Sequence, residues 1–96
     1  MADFYVYVMS NLSKAHYIGM TNNVERRVWE HKFKTTAGFT KRYNLTMLVH
    51  METFPDPGSA IAREKELKGW RREKKMALIL ENNPCWHDLA FDRYVG

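Results

Sequence analysis

The segment FYVYVMSNLSKAHYIGM, residues 4–20, decides the fold of this chain. Residues 4–9 are rich in aromatic and β-branched side chains, which favour a strand. Residues 10–14, SNLSK, have the composition of a turn, and residues 15–20 form a second run that suits a strand. We therefore predict that these residues form a β-hairpin.

A helix and a third strand are predicted to follow the hairpin. The segment TNNVERRVWEHKFK indicates a helix from about Asn23 to Lys34. Asn22 is its expected N-cap, because a glutamate follows three residues later, close to a capping box. Residues 45–54, LTMLVHMETF, have the composition of a strand, and the polar residues 35–44 are predicted to form a loop.

The second half of the chain is predicted to be helical. Asp56 followed by Pro57 is typical of a helix start, and this helix is expected to end near Gly69. Residues 71–82, RREKKMALILEN, indicate another helix. The element order ββαβαα predicts a small α+β domain with a three-stranded, mostly antiparallel sheet and helices packed against it.

The length of 96 residues suits one domain, and we predict that residues 1–96 form it. Its core is expected to lie in residues 4–83. Residues 84–96 then form a C-terminal tail with apolar side chains available to pack on the domain: Trp86, Leu89 and Phe91.

The composition, 45% apolar, 27% charged and 14% aromatic, is typical of a globular protein and excludes a disordered chain. No apolar run approaches the ~18 residues of a membrane-spanning helix, and no signal-like segment is visible. A single cysteine, Cys85, excludes an internal disulfide and fits a reducing compartment. We therefore expect a cytoplasmic protein without a membrane partner.

The net charge of +4 is concentrated in one segment. Residues 63–75, REKELKGWRREKK, contain seven Lys or Arg and three Glu, so the rest of the chain is neutral overall. A basic stripe of this kind suits a polyanion such as a nucleic acid. A solvated helix face with ion pairs one turn apart is the alternative. The candidate nucleic-acid contacts are Lys65, Lys68, Arg71, Arg72, Lys74 and Lys75.

Charged residues fall on helix faces that the apolar pattern assigns to the core. On the first helix, Arg27 and His31 share an arc with two valines. On the second helix, Glu64 lies among apolar positions, where an unpaired carboxylate is costly. Arg27 either extends its stem over the core into water, pairs with Glu64, or serves a functional site.

Tyrosines on the predicted hairpin face the same region. Tyr5 and Tyr7 share one face of the first strand. Tyr17 lies on the second strand, with Gly19 two residues later. Tyrosines in strands commonly serve in packing, whereas a glycine permits close approach of a ligand or of another backbone.

These residues, in this order, resemble the GIY-YIG nuclease superfamily. YVY at 5–7 is followed by YIG at 17–19, by NNVERRVWEH at 22–31 and by AREKELKGW at 62–70. The resemblance covers about residues 4–83. It is greatest to small single-domain bacterial members, which resemble the nuclease module of the excision-repair incision subunit.

The resemblance implies phosphodiester hydrolysis with one divalent metal, Mg²⁺ or Mn²⁺. Tyr17 matches the tyrosine that orients or deprotonates the attacking water, and Tyr7 matches its partner tyrosine. Arg27 matches the arginine that stabilises the transition state, and Glu64 matches the carboxylate that binds the metal. His31 matches a site histidine with a supporting role.

Further assignments follow from the same resemblance. Gly19 and Asn83 take supporting positions, and Lys68 is assigned a phosphate contact. Where the first motif of the family has glycine, this chain has Tyr5, which adds bulk near the site.

The implied function is an endonuclease for DNA rather than RNA, structure-selective and related to repair or recombination. Two alternatives are open on the sequence alone. One is a nucleic-acid-binding module without activity, and the other is a nuclease subunit that needs a protein partner for targeting.

Overall fold

A computed structural model of the chain describes residues 3–33 and 43–90. It confirms the predicted α+β fold class and the order ββαβαα. Most of the predicted loop, together with Phe91, lies outside the described residues. The elements within these ranges are β1 (Phe4–Ser10), β2 (His16–Thr21), α1 (Val24–Phe33), β3 (Met47–Phe54), α2 (Pro57–Lys68) and α3 (Arg72–Asn82). None of the three helices is long and apolar enough to cross a bilayer.

β1 is the central strand of an antiparallel sheet with the order β2-β1-β3. A strand covered on both faces needs apolar residues at successive positions, and residues 6–9 of β1 are all buried. The pairing of β1 with β3 shifts in register between Val8 and Met9, where Val49 is the extra residue of β3.

Side chains alternate along β1 and divide the core into two layers. Val6 and Val8 pack with residues of α2 and α3 on one face of the sheet. Tyr7 and Met9 pack with Val28 of α1 on the other face. Tyr7 therefore belongs to the layer between the sheet and α1.

The N-terminus of α1 is capped by Asn23. Its Oδ1 atom accepts a hydrogen bond from the Arg26 N–H at 3.1 Å, and its backbone oxygen accepts from the Arg27 N–H at 3.1 Å. The prediction of Asn22 as N-cap is therefore wrong by one residue. Thr21 Oγ1 accepts from the Asn23 N–H at 3.0 Å, which fixes Asn23 at the cap position.

α2 begins and ends as predicted. Asp56 Oδ1 accepts a hydrogen bond from the Ser59 N–H at 2.7 Å, and Pro57 takes the first helical position, where no N–H is needed. At the other end, the Gly69 N–H donates to carbonyls of the last turn.

Residues 83–90 fold back along β3. Asn83 is buried at the start of this segment. Its amide nitrogen donates to the Val49 oxygen at 3.2 Å and to the His87 oxygen at 2.8 Å, and its amide oxygen accepts from the His87 N–H at 2.9 Å. This one side chain ties the turn after α3 to the irregular part of β3.

The tail only partly follows the prediction that its large apolar side chains pack inward. Trp86 is buried, and its indole N–H donates to the Asn11 oxygen at 3.1 Å. Leu89 is 53% exposed, so the prediction is wrong for this residue. Its backbone docks instead, because the Leu89 N–H donates to the Leu48 oxygen at 2.7 Å.

A largely buried ion pair fastens the tail to α1. The Lys32 ammonium group contacts the Asp88 carboxylate, and both side chains are little exposed. Asp88 Oδ1 also accepts from the Leu48 N–H at 3.0 Å, and Lys32 donates to the Thr46 oxygen at 2.8 Å. The pair thus joins α1, β3 and the tail.

We expect Asp88→Ala to lower the free energy of unfolding by about 3 kcal/mol, because it leaves the Lys32 ammonium group without its carboxylate. Urea denaturation followed by circular dichroism measures the change. Asp56→Ala, which removes only a helix cap, serves as control and should cost about 1 kcal/mol. Equal losses in the two variants would contradict a special role for the Lys32–Asp88 pair.

Candidate functional site

Tyr7 and Gly19 are cross-strand partners in the middle of the sheet. Tyr7 is 1% exposed, and its ring lies over Gly19. A Cβ atom added at Gly19 would stand 2.5 Å from the Tyr7 hydroxyl oxygen, which is closer than real side chains approach. The missing side chain therefore lets the Tyr7 hydroxyl reach over β2.

Three rings meet around that hydroxyl. The centroids of Tyr7 and Tyr17 are 6.4 Å apart, and His31 of α1 lies 5.9 Å from Tyr7 and 5.8 Å from Tyr17. The interplanar angles of 50–60° are those of tilted and edge-on ring contacts. The Tyr7 hydroxyl lies 3.4 Å from His31 Nε2.

The Arg27 guanidinium lies beside the Tyr7 hydroxyl. Its interaction with that hydroxyl is the main cause that raises the pKa of Arg27. Glu30 holds the guanidinium from the other side, because its Oε1 accepts from Arg27 Nη1 at 3.0 Å and its Oε2 from Arg26 Nε at 3.2 Å. The Arg27 side chain is still 40% exposed. The cation is therefore fixed in direction and open to solvent.

Glu30 is a residue of this site that the sequence analysis did not single out. It positions Arg27 without reaching the ring cluster itself. Its spacing of three residues from Arg27 and four from Arg26 is the signal that could have identified it.

Tyr7 is held in its neutral form. Burial raises the pKa of the Tyr7 hydroxyl, Tyr17 and Glu64 add to the rise, and Arg27 opposes it. A guanidinium group has donors only, so the Tyr7 oxygen faces Arg27 as an acceptor. Tyr7 is thus a protonated hydroxyl at neutral pH, placed to orient other groups rather than to remove a proton.

His31 is also held neutral. Burial lowers the pKa of its imidazole, the Arg27 charge lowers it further, and Glu30 opposes the shift. Its Nδ1 atom is buried and has no hydrogen-bond partner among the described residues. A second charge in this layer would stand close to Arg27, so the neutral ring is the form that the surroundings favour.

Glu64 approaches the cluster from α2, on the far side of the sheet from α1. Its charge contributes to the raised pKa of Tyr7, which marks the two groups as electrostatic neighbours. The side chain is 20% exposed, and its Oε2 accepts from Lys68 Nζ at 3.2 Å. The alternative of a Glu64–Arg27 ion pair is wrong, because each residue pairs along its own helix.

Glu64 is the metal ligand expected from the sequence. No group of three or more His, Cys, Asp or Glu that could hold a metal occurs within residues 3–33 and 43–90. Mg²⁺ keeps several waters and commonly binds through one or two carboxylates together with substrate phosphates. A single, partly exposed carboxylate fits that mode of binding, in which the substrate supplies the other oxygens.

The predicted catalytic residues therefore lie around one hydroxyl that also senses the charge of Glu64, and the five residues form two groups. Tyr7 and His31 are buried, whereas Tyr17, Arg27 and Glu64 are partly exposed. Only the exposed group can touch a polymer that lies on the surface, and the buried group can orient it. The roles of all five residues stay predictions.

The residues predicted to contact nucleic acid do not share one environment. Lys65 and Arg71 are exposed. Lys68 is paired with the metal-ligand candidate, as described above. Arg72 and Lys75 lie near the start of β2, where Arg72 Nη2 donates to the Lys14 oxygen at 3.1 Å.

Two residues of the basic stripe, Arg63 and Lys74, make contacts within the folded chain. Lys74 Nζ lies 4.2 Å from the centroid of the Trp70 ring, and the Arg63 guanidinium lies 5.1 Å from the same centroid. Arg63 also binds both oxygens of Glu52, at 2.8 and 3.1 Å. These cation–π contacts and ion pairs connect β3, α2 and α3, so the stripe is not uniformly free to bind a polyanion.

Tyr5, the residue that departs from the first motif of the family, lies away from the ring cluster. It lines a concavity of about 400 Å³ beside the N-terminus of α1, together with Asn23, Val24 and Met51. Tyr17, Arg27 and Glu64 do not line this concavity. The candidate site therefore lies outside this concavity.

Comparisons with known proteins show the family of this chain. Residues 3–77 match the GIY-YIG catalytic domain. The chain is 42% identical over 80 residues to a UPF0213 protein of Natronomonas pharaonis, covering 83% of this chain and 94% of that protein. It is 36% identical over 81 residues to a UPF0213 protein of Staphylococcus haemolyticus, covering 84% of this chain and 99% of that protein.

A solved structure has the same fold. The solution NMR structure of the UPF0213 protein BH0048 from Bacillus halodurans matches with a TM-score of 0.56 and 26% sequence identity. The match covers 90% of this chain and 92% of that one. The chain therefore belongs to the GIY-YIG family, whose domain is associated with nucleases, in the group of small proteins named UPF0213. The family resemblance found in the sequence is confirmed.

We expect Gly19→Ala to lower the free energy of unfolding by about 1–3 kcal/mol, because its methyl group collides with the Tyr7 ring. Gly69→Ala is the matched control, since its methyl group would meet only ordinary contacts of 3.5 Å and more. The loss at Gly19 should shrink in a Tyr7→Ala background, where the ring is absent. Equal losses in the two backgrounds would show that the collision with Tyr7 is not the cause.

We expect stability to fall as the pH drops below about 6.5. The pKa of His31 and that of His16 are both lowered in the folded chain, mainly by burial. The unfolded chain then binds protons at a higher pH than the folded chain, so acid favours unfolding down to the folded-state pKa values. Urea denaturation between pH 7.5 and 5 measures the effect. The pH dependence should decrease in His31→Gln and in His16→Gln, and an unchanged profile in both would contradict it.

Proposed function

We propose that this protein is a metal-dependent endonuclease that hydrolyses phosphodiester bonds in DNA. One observation carries the proposal: Tyr17, Arg27 and His31 gather around the buried Tyr7 hydroxyl, and the charge of Glu64 acts on the pKa of that hydroxyl from the other face of the sheet. Membership of a family associated with nucleases supports it. Cleavage of branched DNA in repair or recombination is the setting that we propose.

Arg27 is proposed to stabilise the transition state. Hydrolysis of a phosphodiester builds negative charge on the oxygens of phosphorus, and a fixed guanidinium group can donate to two of them. Glu30 and the Tyr7 hydroxyl fix the direction of the guanidinium while its outer edge stays exposed. The cation is therefore positioned before a substrate arrives, which is the condition for electrostatic catalysis.

Tyr17 is proposed to position the attacking water. It is the partly exposed member of the ring cluster, so its hydroxyl can meet a phosphate on the surface. Tyr7 and His31 support it from below, as neutral groups that keep the layer free of a further charge. Their contacts with the Tyr17 ring restrict its orientation.

Glu64 is proposed to hold Mg²⁺ or Mn²⁺. A bound divalent metal supplies Lewis-acid stabilisation of the phosphate oxygens and of the leaving group. Lys68 would keep the carboxylate in place and stay within reach of the same phosphate.

The substrate is proposed to be DNA rather than RNA, held by the residues of the basic stripe that neither pack on Trp70 nor pair with a carboxylate of the described residues: Lys65, Arg71, Arg72 and Lys75. The exposed Cys85 thiol fits our proposal of a cytoplasmic location, because free thiols persist in reducing compartments. A protein partner that directs the enzyme to its substrate is compatible with the small size of the domain.

We expect the purified protein to cut DNA in Mg²⁺ or Mn²⁺ and to lose activity in EDTA. Arg27→Ala should reduce kcat by about 10²–10³-fold, the loss typical of one removed transition-state donor. Glu64→Gln should abolish metal-dependent cleavage. Supercoiled, branched and single-stranded DNA and a matching RNA, separated on gels after cleavage, measure the activity and the substrate preference.

Two neighbouring residues provide matched controls. Arg26→Ala removes a guanidinium that shares Glu30 with Arg27 but is 73% exposed and points away from Tyr7. Glu66→Ala removes the exposed carboxylate two positions after Glu64. Both variants should cut like the wild type. No cleavage by the wild type in any metal, with binding retained, would favour a nucleic-acid-binding module and overturn the proposal.

A further inference from the structure

A second group of basic side chains gathers at the start of β2. Arg72 Nη2 donates a hydrogen bond to the Lys14 backbone oxygen at 3.1 Å, and His16 Nδ1 lies 3.4 Å from the same oxygen. Lys75 and His16 line one narrow crevice. His16, Arg72 and Lys75, which we name the β2 cluster, therefore bring the hairpin and α3 to one place.

The cations of the β2 cluster are not neutralised by carboxylates. No Asp or Glu of the described residues lies within ion-pair distance of Arg72 or Lys75. The basic residues nearer the other elements differ in this respect, since Arg27, Lys32 and Arg63 each have a carboxylate partner.

The pKa of His16 is consistent with this excess of positive charge. Burial is the main cause that lowers the pKa of its imidazole, and the charges of Lys75 and Arg72 lower it further, against the Lys14 carbonyl. Two unneutralised cations that face one half-buried ring form a local surplus of positive charge, which attracts an anion.

The β2 cluster lies on the same edge of the sheet as the candidate site. β2 pairs only with β1, so its outer edge is open among the described elements. His16 directly precedes Tyr17, so the two side chains leave opposite faces of this edge strand, and the Tyr7 hydroxyl reaches over Gly19 on the face of Tyr17. A chain of phosphates that passes across the edge of β2 would thus meet both places.

We propose that the β2 cluster is a second phosphate-binding subsite, at which Arg72 and Lys75 hold the nucleic-acid strand on one side of the cleaved bond. The proposal rests on the proposed function, because it adds a flanking contact to the same substrate. The proposal assigns the phosphate contact to Arg72 and Lys75 and not to Lys74, whose ammonium group lies against Trp70.

The strand geometry sets the expected spacing. Gly19 stands three positions after His16 on β2, which corresponds to about 10 Å along a strand. Phosphates of one strand of duplex DNA follow each other at about 3.4 Å along the helix axis, and their direct separation is larger because they also wind around it. The subsite should therefore bind a phosphate within about three nucleotides of the cleaved bond.

Binding measured without cleavage tests the subsite. We expect fluorescence anisotropy with a labelled DNA duplex in EDTA to show weaker binding by Arg72→Gln and by Lys75→Gln. Each variant should reduce the slope of log K against log salt by about 0.9, or about eightfold in affinity at 0.1 M salt, the factor for one lost phosphate contact. Lys74→Gln, with the same change of charge one position away, should keep the slope of the wild type.

The position of the contact on the DNA can be found with duplexes in which one phosphate is replaced by an uncharged analogue. In a series of duplexes with one methylphosphonate each, one position within about three nucleotides of the cleaved bond should weaken binding of the wild type. The same position should have no further effect on the Lys75→Gln variant, because the contact is already lost. Thermal unfolding of each variant checks that the fold is retained.

The outcomes separate this proposal from the proposed function. Unchanged slopes in Arg72→Gln and Lys75→Gln, or an equal loss in Lys74→Gln, would overturn the subsite and leave the nuclease proposal intact. Reduced slopes together with no cleavage by the wild type would support the subsite and overturn the nuclease proposal. A wild-type protein that binds no nucleic acid in a salt-dependent way would overturn the subsite.

Discussion

The contact between the Tyr7 ring and the bare backbone of Gly19 is the constraint on which the rest of the site depends. Only a residue without a side chain leaves room for the ring, and only a ring that crosses β2 carries its hydroxyl from the central strand to the edge of the sheet. Groups from α1 and from α2 then have one common neighbour, although these helices cover opposite faces. The site exists because a central-strand side chain reaches the edge of the sheet.

The division between buried and exposed groups follows from that placement. Tyr7 and His31 lie in the core layer and are held neutral by burial, whereas Arg27 keeps its charge at the surface with Glu30 as its support. A small domain cannot bury an unpaired charge cheaply, so the charged groups lie at the margin and neutral rings fill the space beneath them. The arrangement leaves a fixed cation at the surface, above a layer of neutral rings.

The sequence predicted the elements and their order, because periodicity and spaced motifs are local properties of the chain, and the roles of the site residues stay predictions. Four features escaped prediction, and the first two depend on contacts between distant segments. The central place of β1 requires β3 to return to it, and Leu89 is exposed because its backbone docks on β3. The cap of α1 moves to Asn23 because Thr21 holds that residue. The basic stripe was predicted as one surface for a polyanion, but Arg63 and Lys74 contact the Trp70 ring.

The tail that runs along β3 has a consequence for how copies of this protein meet. Two hydrogen bonds to Leu48, one from the Leu89 N–H and one accepted by the Asp88 carboxylate, cover part of the outer edge of β3, whereas the outer edge of β2 is left open among the described elements. An open strand edge can pair with the same edge of a second molecule, but here each copy brings Arg72 and Lys75 to that edge. Like charges therefore oppose edge-to-edge association at low ionic strength, and salt screens this repulsion. Self-association along β2 and attraction of a polyanion to it should thus respond to salt in opposite directions.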